Sequence, residues 1–416
     1  MSITISDIVE VAPDLPYDKD IHSVRFVRTT AVLKEPRSDA DRLGVVGRGT
    51  RAGIKGAASP GNGCKMRWIQ IAPRGWVCET MIEPSTDAPT PPVDVPLSSI
   101  ADVTVPGVYG FVHGDNVQAY ASKADAAAGT GKSLVGNNSV RAAGVVEVDG
   151  HRYWQTTDGS LIDESAIYRA YPSRFKGVVI DGGSMPAWVR GTTKDPVRVR
   201  DAAGKITGTI APRTVVHILE DNGALVRIDD TRWLRRSDLR ASNAMPPPPD
   251  TGATERWFDV DLDEQVLVAY EGTTPVYATL VSTGKWRHET PTAITRVQSK
   301  HESASMVSDK PGQDLYSVAD VPWTMYYDGH FALHTSYWHD GFGYRLSHGC
   351  INLAPRDARV LYQWSSPDVP PGWTSVYGDE DTPGSLVRVR SKQVPDPPFR
   401  GYAARLHEHR ADVAER

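Results

Sequence analysis

The stretch "FALHTSYWHDGFGYRLSHGCINLAP", residues 331–355, sets three histidines and the last cysteine of the chain within twenty-five positions. His334 ends an apolar strand, the glycine-rich excursion "HDGFGYRL" can double back, and Cys350 follows sixteen residues after His334. Three chemistries compete for these residues. His334, His339, His348 and Cys350 are competent zinc ligands, but their spacing matches no familiar helical or knuckle pattern, and Gly349 signals a turn. Space-filling at a glycine-rich turn accounts for a lone His or Cys, not for a second His delivered by an apolar strand. A nucleophile with its base uses most of the residues. A thiol must be ionised, or lose its proton as it attacks, so it needs an imidazole in a partly exposed pocket. Gly349 lets the backbone turn sharply and aim successive N–H groups at one point, as a tetrahedral oxyanion requires. The chemistry implied is acyl transfer, with no metal and no cofactor.

The rest of the chain narrows the setting. At 416 residues it is too long for one core, so two to four domains are expected. Apolar residues at 40% and charged residues at 23% are ordinary for globular proteins. The net charge of −5 and the lack of a dense Lys/Arg stripe argue against a nucleic-acid partner. No apolar run is long enough to span a membrane, and "MSITISDIVEVAPDLPYDKD" has neither a basic n-region nor an apolar h-region. Cys64 and Cys78 lie fourteen residues apart and can be bridged in an oxidising compartment or left free, with Cys350 the odd thiol.

Two Pro-rich segments, 85–96 and 241–254, divide the chain, the second reading as a stiff spacer. Before the second, short alternating segments with Gly and Pro punctuation predict an all-β region. Three endings in it repeat loosely: "RWIQIAPRGWVCETMI" (67–82), "RYWQTTDGSLIDESAI" (152–167) and "LVRIDDTRWLRRSDL" (225–239). They resemble bacterial SH3-like barrels, in which a Trp-containing hairpin precedes a closing single-turn helix. From 255, strands are predicted at "FDVDL", "QVLVAYEG", "PVYATLVST", "MYYDG", "HFALHT" and "SLVRVR", with one short helix at 354–366. The expected organisation is a tail (1–22), SH3-like domains at 23–85, 105–171 and 185–241, linkers at 86–104 and 242–254, a catalytic domain at 255–392 and a tail at 393–416. The expected fold class is mainly β: three small SH3-like β-barrels followed by a catalytic β-sandwich with one short helix.

"SHGCINL" preceded by "LHTSYWHDGFG", with Gln265 after the "VDL" strand and "STG" and "TPT" turns at 282–292, closely resembles the catalytic domain of L,D-transpeptidases, the peptidoglycan cross-linking cysteine enzymes. The resemblance runs from about 256 to 390. It implies that Cys350 is the nucleophile, His334 its general base, and the Thr335 carbonyl the group that orients the imidazole. It implies an oxyanion hole from the N–H groups of His348, Gly349 and Cys350, with Ser347 and the His348 side chain shaping the turn. Asn352 is a candidate substrate contact. Residues 299–320 resemble a lid over the donor site, which makes Met306, Tyr316 and Trp338 candidate walls; core packing is the competing role for each. The implied reaction attacks the meso-diaminopimelate carbonyl of a tetrapeptide stem, releases D-Ala, and passes the acyl group to an amine for a 3→3 cross-link. Water as acceptor would make an L,D-carboxypeptidase. A zinc-dependent envelope peptidase and a non-catalytic wall-binding protein are the rivals from other classes. Implied partners are peptidoglycan stem peptides, with wall polymer on the SH3-like domains, and a carbapenem is an implied inhibitor. The implied location is the cell envelope, periplasmic or extracytoplasmic, which a trimmed or misassigned start reconciles with the missing export signal. Two features depart from the family: Ala293 replaces the usual Gly after "TPT", and 372–384 is longer than the common ending.

Overall fold

The structure is a computed structural model describing residues 16–92, 105–134, 137–191, 195–307 and 316–414. The tip of the expected lid, most of the first linker and residues 1–15 of the N-terminal tail lie outside the described residues. The protein is mainly β. Its three helices among the described residues are Lys123–Ala128, Pro355–Trp364 and Tyr402–Ala414. The second is the expected one. The third falls in the segment read as a tail, where Ala403 is buried in the core of the preceding domain.

The chain divides into two compact units, Met1–Asp94 with Asp368–Asp379, and Val95–Pro367 with Glu380–Arg416. The first is built on short antiparallel strands. Ser23–Phe26 pairs with Ile82–Ser85, and Trp68–Ile71 forms a hairpin with Trp76–Cys78. Cys64 and Cys78 are joined by a disulfide with Cα atoms 5.6 Å apart. The unit is completed from far along the chain. Trp373–Tyr377 pairs with Arg42–Val46, and Trp373 (2% exposed) and Val376 sit in the same core as Phe26, Val46 and Ile69. Gly44 faces this strand, and a Cβ there would lie 2.3 Å from the Trp373 ring and 2.4 Å from the Ser375 carbonyl, so only glycine permits the approach. The extra length at 372–384 thus has a structural destination.

The three closed barrels expected from sequence are not shown. What recurs is the local ending: hairpins run into single 3-10 turns at Glu79–Met81, Glu164–Ala166 and Arg236–Asp238, each followed by a short strand. In 105–171 the strand Asn137–Val148 also runs parallel to Tyr316–Asp328, and in 23–85 the strand Arg42–Val46 also pairs with Trp373–Tyr377, whereas the strands of 185–241 pair among themselves.

In the C-terminal segment nine strands follow one another by hydrogen bonding. Ser299–Val307, Tyr316–Asp328, Phe331–Thr335, Ile351–Leu353 and the end of Thr274–Ser282 make one side. The start of Thr274–Ser282 continues to Val266–Glu271, Arg256–Asp261, Leu386–Arg390 and Ala293–Arg296. The expected lid is therefore two long hairpin arms rather than an unstructured loop. The parallel register puts Asp259 opposite Arg388 and Asp261 opposite Arg390, and the buried Asp259 carboxylate meets both guanidinium groups at 2.6 and 2.9 Å. The linker at 242–254 is no free spacer: Met245 N–H donates to Tyr270 Oη at 3.0 Å, and Arg388 Nη1 donates to the Pro246 carbonyl at 2.9 Å.

Trp373→Ala removes the largest side chain that the late strand contributes to the first unit's core. It is expected to destabilise that unit by about 3–5 kcal/mol. Calorimetry should show one transition moved to lower temperature.

Candidate active site

The turn Ser347–Cys350 is fixed from every side by hydroxyl and backbone contacts. Ser347 Oγ accepts from Gly349 N–H at 3.1 Å and donates to the Cys350 carbonyl at 2.6 Å. Gly349 has φ +117°, and a Cβ there would lie 2.6 Å from the Phe331 ring, so this position requires glycine on two counts. Thr290, from the "TPT" turn, donates its hydroxyl to the Gly349 carbonyl at 2.8 Å and accepts from Gly284 N–H at 2.9 Å. The Thr283 carbonyl receives the N–H groups of both Leu346 and Ser347 at 3.0 Å. Gln265 holds Thr283 in turn: its Oε1 accepts from Thr283 N–H at 2.9 Å, and its Nε2 donates to Thr283 Oγ1 at 2.6 Å. The separated motifs of the sequence are one hydrogen-bonded scaffold.

Phe331–Thr335 and Ile351–Leu353 run parallel with Leu333 opposite Ile351 and His334 opposite Asn352, and Cys350 immediately precedes the second of these strands. The Ala332 N–H reaches the sulfur, and Cys350 Sγ lies 3.8 Å from the His330 carbonyl. His334 Nδ1 is 2.9 Å from the Thr335 carbonyl. Only Nδ1–H can make that bond, so in the neutral ring the Nε2 lone pair is left for a proton.

Both reactive groups are neutral at rest. Cys350 retains partial solvent access, but protein surrounds its sulfur, and burial pushes the thiol up to about 11 against a small opposing effect of the Ala332 N–H. Burial pushes His334 down to about 4, partly opposed by the Thr335 carbonyl. No hydrogen bond joins the sulfur to the ring in this resting arrangement.

The other expected residues fall at different places. Trp338 stands with its ring 5.7 Å from that of His334. Met306 is half-buried on the arm Ser299–Val307, opposite Val318, and Tyr316 begins the facing arm. The His348 ring packs edge-on against His288 at 4.7 Å. Gly349 N–H is engaged by Ser347 Oγ, so it does not stand open for an oxyanion as expected. Sequence reasoning missed Tyr327. Its buried hydroxyl has no hydrogen-bond partner, and burial, then the charge on Cys350, raises its pKa, which places it within electrostatic reach of the sulfur. No signal in the sequence distinguishes it from Tyr326. Among the described residues no three His, Cys, Asp or Glu side chains converge as a metal site.

Residues 255–387 match the family model of the L,D-transpeptidase catalytic domain. This segment is an L,D-transpeptidase catalytic domain. No curated protein matches the chain. Among solved structures, a crystal structure of a mutant Enterococcus faecium L,D-transpeptidase is 24% identical over 33% of this chain and 50% of that one, with a TM-score of 0.26. An L,D-transpeptidase from Mycobacterium smegmatis is 18% identical over 54% and 89% of the two chains, with a TM-score of 0.26. The E. faecium catalytic domain acylated by ertapenem is 26% identical over 30% and 98%, with a TM-score of 0.25. The chain thus spans about half the length of the first of these relatives. The family model carries the assignment; the overall superpositions add nothing to it.

Two outcomes follow for the L,D-transpeptidase domain. Thr290→Val keeps the volume but strands the Gly284 N–H and the Gly349 carbonyl, at about 1–3 kcal/mol each. A lower melting temperature and slower acylation of Cys350 are expected together. Because the thiol is raised to about 11, its ionised fraction grows about tenfold per pH unit below that value. Inactivation by iodoacetamide should therefore climb steadily between pH 7 and pH 10. A plateau through neutral pH would instead reveal a preformed thiolate.

Proposed function

We propose that the protein is a peptidoglycan L,D-transpeptidase acting through a Cys350 thioester. The observation that supports this most is the orientation of His334: Nδ1–H tied to the Thr335 carbonyl, Nε2 left basic, and Cys350 immediately before the strand that pairs with that of His334. In the first half-reaction the thiol proton passes to His334 Nε2 as the sulfur bonds to the carbonyl carbon of meso-diaminopimelate in a tetrapeptide stem. The imidazolium keeps its second N–H on Thr335 and then protonates the departing amine of D-Ala as the C–N bond breaks. In the second half-reaction an acceptor amine loses its proton to His334, attacks the thioester and leaves a 3→3 amide, with the thiol restored. Main-chain N–H groups of the turn steady the oxyanion in both halves, and with Gly349 N–H held by Ser347 that role passes to the N–H groups of His348 and Cys350. Trp338, beside His334, is the wall of the donor site that the geometry favours.

The Cys64–Cys78 disulfide supports work in an oxidising compartment, in keeping with a substrate outside the cytoplasm. No helix among the described residues is long and apolar enough to cross a membrane. The recurrent hairpin and 3-10 endings support a reading of 23–85, 105–171 and 185–241 as SH3-like modules that contact wall polymer.

Intact-mass measurement of the full chain with a muropeptide tetrapeptide and with a carbapenem tests the nucleophile. The parent protein should gain a covalent adduct that Cys350→Ala lacks. An adduct on both proteins, or on neither, would refute the thioester. Product analysis with and without an acceptor stem then separates cross-linking from hydrolysis. Activity that survives iodoacetamide but is lost to chelators would mark a zinc peptidase.

A further inference from the structure

The strand Tyr316–Asp328 carries a bulge whose polar groups are met by residues of 105–171. Ala304 pairs with Val321 and Met306 with Val318, so Ala319 and Asp320 together face Ser305 alone. Three hydrogen bonds close a ring on Ala319. Its N–H donates to Ser139 Oγ at 3.3 Å, its carbonyl accepts from Tyr337 Oη at 3.0 Å, and the two hydroxyl oxygens are 2.7 Å apart. A carbonyl can only accept, so the Tyr337 proton is committed to it and Ser139 must donate to Tyr337. Asp320, in the left-handed region at φ +49°, is held by the same segment: its carbonyl accepts from Tyr109 Oη at 3.0 Å, and its carboxylate accepts from Thr157 Oγ1.

The same contact reaches the active site through aromatic rings. Tyr337 is 1% exposed, and its ring lies 4.2 Å from that of Tyr109 and 4.9 Å from that of Trp338, which in turn stands 5.7 Å from the ring of His334. Val105, Tyr109 and Ala170 form with Tyr337 the buried cluster on which Trp338 packs. The backing of Trp338 thus comes from outside the L,D-transpeptidase domain at 255–387. A buried ring of hydrogen bonds tolerates little displacement, because each bond lost strands a polar group.

We propose that Ser139 and Tyr109 are positioning residues for acyl transfer: through the Tyr337 hydroxyl and the bulge at Ala319 and Asp320, they set Trp338 and the strand Tyr316–Asp328 in place for the acyl donor. The role in donor binding rests on the acyl-transfer reading above; the hydrogen-bonded ring does not.

Carbapenem acylation of the full chain, followed by absorbance over a range of drug concentrations, tests the coupling. Ser139→Ala should lower the second-order rate about tenfold. The loss should reside in the concentration dependence, with the limiting rate unchanged. Alkylation of Cys350 by iodoacetamide, which needs no donor wall, should stay within about twofold of the parent. Tyr337→Phe opens the same ring, so the double variant should lose no more than the larger single loss. Additive losses would overturn the shared ring. Acylation unchanged in Ser139→Ala would refute positioning, and so would a parallel fall in the limiting rate and in alkylation, which marks a contact that only supports the fold. Should Ser139→Ala fail to fold, Tyr109→Phe, which removes one hydroxyl and no apolar surface, gives the same reading: a loss of about threefold confined to the concentration dependence is expected, and an unchanged rate refutes the proposal. A parent chain that takes up no carbapenem overturns the acyl-transfer reading together with this role. A parent that acylates, with variants that match it, overturns only the positioning.

Discussion

One hydroxyl group carries much of the architecture around the nucleophile. Thr290 Oγ1 accepts from Gly284 and donates to Gly349, so it joins the turn that follows one strand to the turn that carries the thiol. A glycine at φ +117° cannot hold that conformation by its own preferences. The neighbours must impose it, and they do so with fixed-length, directional bonds from Thr290, Ser347 and Thr283. The backbone of Cys350 is thereby held in place, while its sulfur meets the Ala332 N–H and the His330 carbonyl.

The electrostatics complement that rigidity. Desolvation disfavours charge on both the thiol and the imidazole, so the resting site holds no ion pair. A resting thiolate would be the better nucleophile for oxidants as well as for substrates. The charge of Cys350 acts on Tyr327, whose buried hydroxyl is unmatched.

The site was legible in sequence to the extent that its chemistry restricts residue type. Only glycine tolerates position 349, and the strand Phe331–Thr335 shows in its short apolar run. Strand existence was also readable from Phe258 to Leu333, because alternation reports one buried face. Pairing partners were not. A period of two shows that residues 373–377 can form a strand but not that they belong beside Arg42–Val46. For the same reason the endings at 67–82, 152–167 and 225–239 suggest closed barrels; their own strands pair locally, and the distant partners belong to Arg42–Val46 and Asn137–Val148. The arms of the lid were read as loop because Ser, Lys and Glu dilute the apolar signal in 299–307. Which N–H groups of the turn are already engaged depends on side-chain direction, and composition carries no trace of that.

The late strand has a consequence for how the molecule is made. The first unit begins within the opening thirty residues, yet one of its strands is Trp373–Tyr377. During translation that unit has to wait, with its apolar residues incompletely covered, until Trp373–Tyr377 has left the ribosome. Contacts spanning more than three hundred residues also slow closure of the core. The N-terminal part of this protein is therefore among the last to be finished, and it is the part that a chaperone would have the longest opportunity to bind.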